Sequence, residues 1–175
     1  DKMYINTKDL TDFGKIEAEY HSIEGDAVTF EMCTVDSTPF KNKDANGNEV
    51  VVPHSPTEPS NPTNLMYWID TSSTPHTLKQ YSAASSMWVS IATTYIKISA
   101  PLIGKAFEKY DGVTISGVEV AALSDLNNTM VIWDKGDNYI TVIGLIDEYT
   151  TQDKSIKVER KMPIMDFVIE SENRL

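Results

Sequence analysis

YWIDTSSTPHTLKQYSAASSMWV, residues 67–89, carries two tryptophans and two tyrosines separated by hydroxyl-rich, turn-prone segments. Short runs of aromatic and β-branched residues bounded by Ser, Thr, Pro and Asp read as strands joined by turns. The stretch therefore divides into a three-strand meander: LMYWID (65–70), a turn at TSSTPH, TLKQYS (77–82), a turn at AASS, and MWVSIATTYIKIS (87–99). Side chains alternate along a strand, so Met66, Trp68 and Asp70 share one face while Leu65, Tyr67 and Ile69 share the other. Trp88 and Ile91 break that alternation, which predicts a bulge or bend between them. Two uses compete for the rings. Tyr67, Trp68, Tyr81 and Trp88 either fill a small sheet or stand as a platform for sugar rings. Cross-strand aromatic pairs contribute roughly 0.2–1 kcal/mol each, and a meander poor in aliphatic residues needs such filling. Packing is the stronger reading, since large aromatics are usually well buried.

Upstream, AVTFEMCTV (27–35) has strand composition, and Asn46-Gly47 lies between Phe40 and Val50. An Asn-Gly pair tolerates the positive φ of a tight hairpin turn, so a hairpin is expected within 38–53. The segment PHSPTEPSNPT (53–63) holds four prolines in eleven positions. Proline lacks a ladder donor and fixes φ, so a central strand or helix interior is excluded there. An extended, mobile surface loop is expected.

Downstream, PLIGKAFEKY (101–110) predicts a helical turn with Pro101 at its first position. VEVAALSDL (118–126) predicts a second short helix or 3-10 turn. TMVIW and YITVIGLI flank DKGDN (134–138), a hairpin signal around Gly136, and KSIKVERKMPIMDFVIE supplies a strand before Pro163 and another after it. The expected fold is mainly β: two small antiparallel units of meander, sandwich or barrel type with one or two short helices. The boundary is placed near residue 98, giving units 1–98 and 99–175.

Composition narrows the function. A chain of 175 residues is long enough to bury a core without staples. The single Cys33 has no intramolecular disulfide partner, and His21, His54 and His76 lie too far apart in sequence to suggest metal ligands. The net charge of −11, with Arg160 and Arg174 as the only arginines, argues against nucleic-acid binding. No apolar run approaches the ~20 residues that span a bilayer. The opening DKMYINTKDL lacks the basic start and apolar core of a signal peptide, and without an initiator methionine it reads as part of a longer chain. There is no G-x-S-x-G elbow and no Gly-rich phosphate loop. Asp70, Asp134, Asp137, Asp147 and Glu148 qualify as catalytic carboxylates by type alone, because Asp at strand ends commonly serves the backbone. Asp44, Asn46 and Asn48 in DANGNE resemble a calcium loop only faintly, since the glycine falls early and no closing bidentate Glu follows. The expectation is no enzyme, no metal and no cofactor.

Three segments carry a resemblance. Trp68-Ile69-Asp70-Thr71-Ser72, Pro75, Leu78-Lys79, Tyr81 and Trp88-Val89 resemble a motif recurrent in phage tail, fibre and baseplate proteins. YDGVTISG…LNNTMVIWDKGDNYITVIG (110–144) looks like a small phage β-module. YINTKDLTDFG and the closing ERKMPIMDFVIESENRL resemble parts of long, propeller-containing virion structural proteins of phages that infect Gram-positive bacteria. The resemblance implies a tail or connector-region structural protein, in an adaptor, a tail hub or nozzle, or a fibre. It would be made in the host cytoplasm, incorporated into the virion, and act through contacts with its own copies and neighbouring virion proteins. The alternative it leaves is a carbohydrate-binding module for cell-wall polysaccharide, with Tyr67, Trp68, Tyr81 and Trp88 as the stacking residues.

Overall fold

The computed structural model describes residues 18–23, 25–146 and 149–160. YINTKDLTDFG, the residues after Arg160 including any strand beyond Pro163, and the carboxylates Asp147 and Glu148 lie outside the described residues. The chain runs through β1 (Ala18–His21), β2 (Val28–Cys33), the hairpin strands β3 (Asn42–Lys43) and β4 (Glu49–Val50), and β5 (His54–Ser55). The meander follows as β6 (Tyr67–Asp70), β7 (Thr77–Ser82) and β8 (Met87–Ser90). Then come β9 (Tyr95–Ser99), β10 (Gly112–Ser116), β11 (Thr129–Val131), β12 (Asp134–Gly136), β13 (Tyr139–Ile143), β14 (Thr150–Gln152) and β15 (Lys157–Arg160). The protein is mainly β, as its alternating short runs require.

Two larger sheets contribute to one core. The first has the order β12-β13-β9-β2-β14, antiparallel throughout. Its inward rows alternate as period-2 strands must: Val28, Phe30 and Met32 from β2, Ile96 and Ile98 from β9, Ile140 and Val142 from β13. The second sheet, β1-β15-β10-β11, adds Val113, Ile115 and Val158. Phe107, Leu123, Leu126 and Ile132 join the same hydrophobic cluster.

Between β2 and β9 the chain builds everything else. The hairpin β3–β4 turns at Asn46-Gly47, with Gly47 at φ 85°, where the sequence expects it. The meander β6–β7–β8 forms a four-stranded sheet with β5. Cys33 and Tyr95, at the two ends of this excursion, are register partners in the first sheet. The expected division at residue 98 is therefore corrected: it falls inside β9, which pairs with β2 on one side and β13 on the other. The two parts are nested rather than consecutive.

Three further differences have local causes. The Pro-rich segment is more than a loop, because His54 and Ser55 pair in parallel with Ile69 and Asp70, an arrangement the antiparallel expectation did not contain. It occupies the sheet's edge, where missing proline donors do no harm. DKGDN is not all turn: Asp134–Gly136 is itself β12, only Asp137 and Asn138 lie between it and β13, and TMV belongs to the other sheet as β11. The chain changes sheets at Ile132 and Trp133, whose N–H groups donate to Asp111 and Thr141 carbonyls.

The helical turn expected over 101–110 shrinks to the 3-10 turn Ile103–Lys105, entered through Leu102 at φ 63°, with Pro101 outside it. Gly104 explains why. Its N–H donates to Asp137 O at 3.1 Å, and a Cβ there would lie 1.7 Å from Gly136 O and 2.6 Å from Tyr139 O. The turn docks directly on the backbone of the β12–β13 hairpin. The second expected turn is present as the 3-10 segment Ala121–Leu126, which buries Leu123 and Leu126.

Gly104→Ala is expected to cost about 1–3 kcal/mol, because backbone cannot yield as a side chain can. Denaturant unfolding should show this, whereas Gly25→Ala, with open space around it but φ +94°, should lose only the smaller left-handed strain of about 1 kcal/mol.

Candidate functional site

The meander register settles where the four singled-out rings go. Trp68 stands opposite Lys79, Lys79 opposite Ser90, and Tyr81 opposite Trp88. Directly opposed residues share a face, so Trp68, Asp70, Lys79, Tyr81 and Trp88 project to the same side. Tyr67 does not join them. It projects with Ile69 to the core side, where its ring meets Phe40 edge-on at 5.1 Å, while Asn42 Nδ2 donates to its carbonyl. The structure brings three of the four aromatics together and sends the fourth elsewhere.

The three rings cross one another. Trp68 and Trp88 have centroids 5.2 Å apart and planes 65° apart; for Tyr81 and Trp88 the values are 5.3 Å and 60°. This is edge-to-face packing, which satisfies the ring quadrupoles. It leaves no pair of coplanar faces for a sugar to lie along. Trp68 is 3% exposed, and its Nε1 donates to both the carbonyl and the hydroxyl of Ser55 at 3.1 Å. Tyr81 and Trp88 are half-buried. Trp88 Nε1 is buried with no acceptor among the described residues, a cost of about 1–3 kcal/mol.

A charged pair borders the rings. Lys79 Nζ lies 5.1 Å from the Trp68 ring centroid and 2.7 Å from Asp70 Oδ2. The ammonium thus serves a carboxylate and an indole at once. The Lys79 hydrogen bond, then those from Ser72, hold the Asp70 carboxyl down at about 2. Asp70 is occupied as an ion-pair partner and turn acceptor.

Among the described residues, the other carboxylates named from sequence are engaged as well. Asp134 accepts from Ser37 Oγ at 2.6 Å and pairs with Lys109 at 2.7 Å. Burial pushes its carboxyl up, and the bonds from Lys109 and Ser37 outweigh that to leave it below its ordinary value. Asp137 lies 3.6 Å from Lys105. Asp44 Oδ1 accepts from the Asn46 and Asn48 backbone N–H groups at 2.8 and 2.9 Å, so the faint calcium loop is a hairpin turn closing on itself. Among the described residues no cluster of His, Cys, Asp and Glu could hold a metal. Cys33 is buried, and burial pushes its thiol up to about 12.

Sequence reasoning placed Lys79 in a motif without giving it a role on this face, and it did not single out Ser55. The alternation in TLKQYS, which sets Lys79 and Tyr81 on one face, was a signal for the first; nothing in the Pro-rich segment marked Ser55. A second ladder also went unseen. Tyr95, Trp133 and Tyr110 meet edge-on at 6.0 Å per step, assembled from three segments far apart in sequence. A groove of about 320 Å³ beside the β3–β4 hairpin is lined by Met32, Phe40, Val51 and Tyr149, with Lys41 bound to Glu31 at 2.7 Å on its polar side.

Comparison with family models, curated proteins and solved structures finds no match. The reading of this face therefore rests on its chemistry.

Two outcomes follow for the rings and the ion pair. Trp68→Phe removes a donor from two Ser55 acceptors, whereas Trp88→Phe removes a donor that has no partner among the described residues; the first should cost about 1–2 kcal/mol more than the second, measured by urea unfolding. Because the Asp70 pKa is depressed on folding, its contribution is complete above about pH 4 and disappears as pH falls through about 2. Asp70→Asn should lower stability at neutral pH and flatten the acid limb of a stability–pH curve.

Proposed function

We propose that the chain is a structural module of a bacteriophage virion protein in the tail or connector region, acting through assembly contacts rather than catalysis. The observation that carries the non-catalytic, non-lectin half of this reading is the use of the Trp68–Asp70–Lys79–Trp88 face. Its rings are crossed against each other, and its carboxylate and ammonium neutralise each other at 2.7 Å. Groups poised for a substrate would keep a free carboxylate or an open ring face. The virion half is supported by the resemblance carried by Trp68 to Ser72, Pro75, Leu78-Lys79, Tyr81 and Trp88-Val89. A mainly β body built from short strands supplies rigid edges and loops for repeated contacts.

Carbohydrate binding is the competing reading, because Tyr81 and Trp88 keep part of their rings accessible. The geometry favours it less, since Trp68 is covered and Tyr67 lies on the other face.

Mass spectrometry of purified particles should find the full-length protein as a stoichiometric virion component, and purified protein should form a closed oligomer. Its absence from particles would overturn the proposal. Cell-wall polysaccharide pull-down should retain none of the chain; retention abolished by Trp88→Ala would transfer the assignment to the carbohydrate reading.

A further inference from the structure

The free edge of the meander sheet carries an inference that rests on the assembly reading and gives it a surface. β8 ends the order β5-β6-β7-β8, so among the described residues one side of it has no strand neighbour. Natural edge strands are guarded by charges, prolines, bulges or shortness. Other edges among the described residues show such guards: β1 carries Glu19 and His21, β12 carries Asp134 and Lys135, and β5 is flanked by Pro53 and Pro56. β11 and β14 are three residues each. β8, four residues long, carries no charge, no proline and no bulge. It lies within seventeen consecutive uncharged residues, from Gln80 to Ile96, in a chain of net charge −11. Met87 and Val89 on its core-side face are 62% and 53% exposed.

The backbone polarity of the edge follows from the hydrogen bonds. Ile91 N–H donates to Leu78 O at 2.8 Å, so the bonded pairs between β7 and β8 are the alternate ones that include Val89 and Met87. Tyr81 confirms this phase, because its N–H and C=O are used on the other side by Met66 O and Leu65 N–H. Trp88, opposite Tyr81, therefore points its N–H and C=O outward at the free edge.

We propose that β8 pairs antiparallel with β8 of a second copy about a two-fold axis at Trp88, joining two four-stranded sheets into one of eight strands. In this register Trp88 meets Trp88 of the second copy, exchanging both backbone hydrogen bonds, and Met87 meets Val89. The faces stay in phase, apolar side chains cover each other, and each strand presents the groups its copy needs. Charge selects this surface for self-association. Two molecules of charge −11 repel wherever acidic residues approach, and the uncharged stretch is where close contact costs least.

Sedimentation velocity of the 175-residue chain should show a concentration-dependent dimer. Val89→Lys, which sets like charges near the axis, should weaken it by at least about tenfold while circular dichroism and thermal midpoint stay unchanged. Register is tested by mixing Met87→Cys with Val89→Cys under mild oxidation. The mixed disulfide should dominate over either homodimer, since only positions 87 and 89 oppose each other; buried Cys33 does not compete. A wild-type chain that stays monomeric at about 100 μM, a concentration that exposes even weak pairing, overturns the inference. Association unaffected by Val89→Lys, without mixed cross-links, overturns it too and leaves assembly through another surface intact. The virion assignment itself falls only if the protein is absent from particles.

Discussion

A central strand whose inner face is sealed in the core must hydrogen-bond on both edges, and β9 is the strand on which that constraint falls hardest. Ile96 and Ile98 are inaccessible to solvent, so unpaired N–H or C=O groups beside them would have no water to turn to. β2 satisfies one edge and β13 the other, in registers that place Phe30, Ile98 and Ile140 in one row. Neither partner is near in sequence: β2 is separated from β9 by the whole meander, and β13 by the second sheet's β10 and β11. The order of the fold is thus set by distant pairings, which places it among slow-folding topologies. The 3-10 turn at Gly104 then clamps the far side of the same sheet by resting on the β12–β13 turn.

On the meander, one alternation performs two tasks. Its odd-numbered β6 residues, Tyr67 and Ile69, and Leu78 of β7 anchor the sheet to the core; Lys79, Tyr81 and Trp88 form the opposite face together with Trp68, which is itself buried there. The outer face is internally satisfied to a degree unusual for a ligand site. Indole meets indole, ammonium meets carboxylate, and Ser55 accepts the Trp68 N–H. Only the Trp88 N–H departs from this economy, buried without an acceptor among the described residues.

Much of this was legible in residues. The strands Tyr67–Asp70, Thr77–Ser82 and Met87–Ser90, the Asn46-Gly47 hairpin and the 3-10 turn before Asn127 follow from local composition and period, which local physics enforces. The bulge expected between Trp88 and Ile91 is absent, because pairing with β7 runs unbroken from Met87 to Ile91, and the single strand expected over 87–99 divides into β8 and β9 in different sheets. What was not legible was every relation across distance. Nothing in IKIS states that its neighbours are VTFEMC and YITVI, so a composition change near residue 98 passed for a boundary when the chain was re-entering a sheet it had left at Cys33. Ser55 sits among prolines that argue against a strand, and its pairing depends on an edge position that sequence does not specify. The site divides the same way. Alternation separates Tyr67 from Trp68 at once, but the edge-to-face angles and the Asp70–Lys79 pair required the cross-strand register.

The neighbouring positions of Cys33 and Tyr95 bear on how the chain can be cut and rejoined. The chain leaves the first sheet at one and comes back one strand over at the other, so the two ends of residues 34–94 lie side by side. A short link spliced between them would preserve the threading of β2, β9 and β13. It would also strip the core of Phe40, Val52, Ile69 and Leu78, which the excursion supplies.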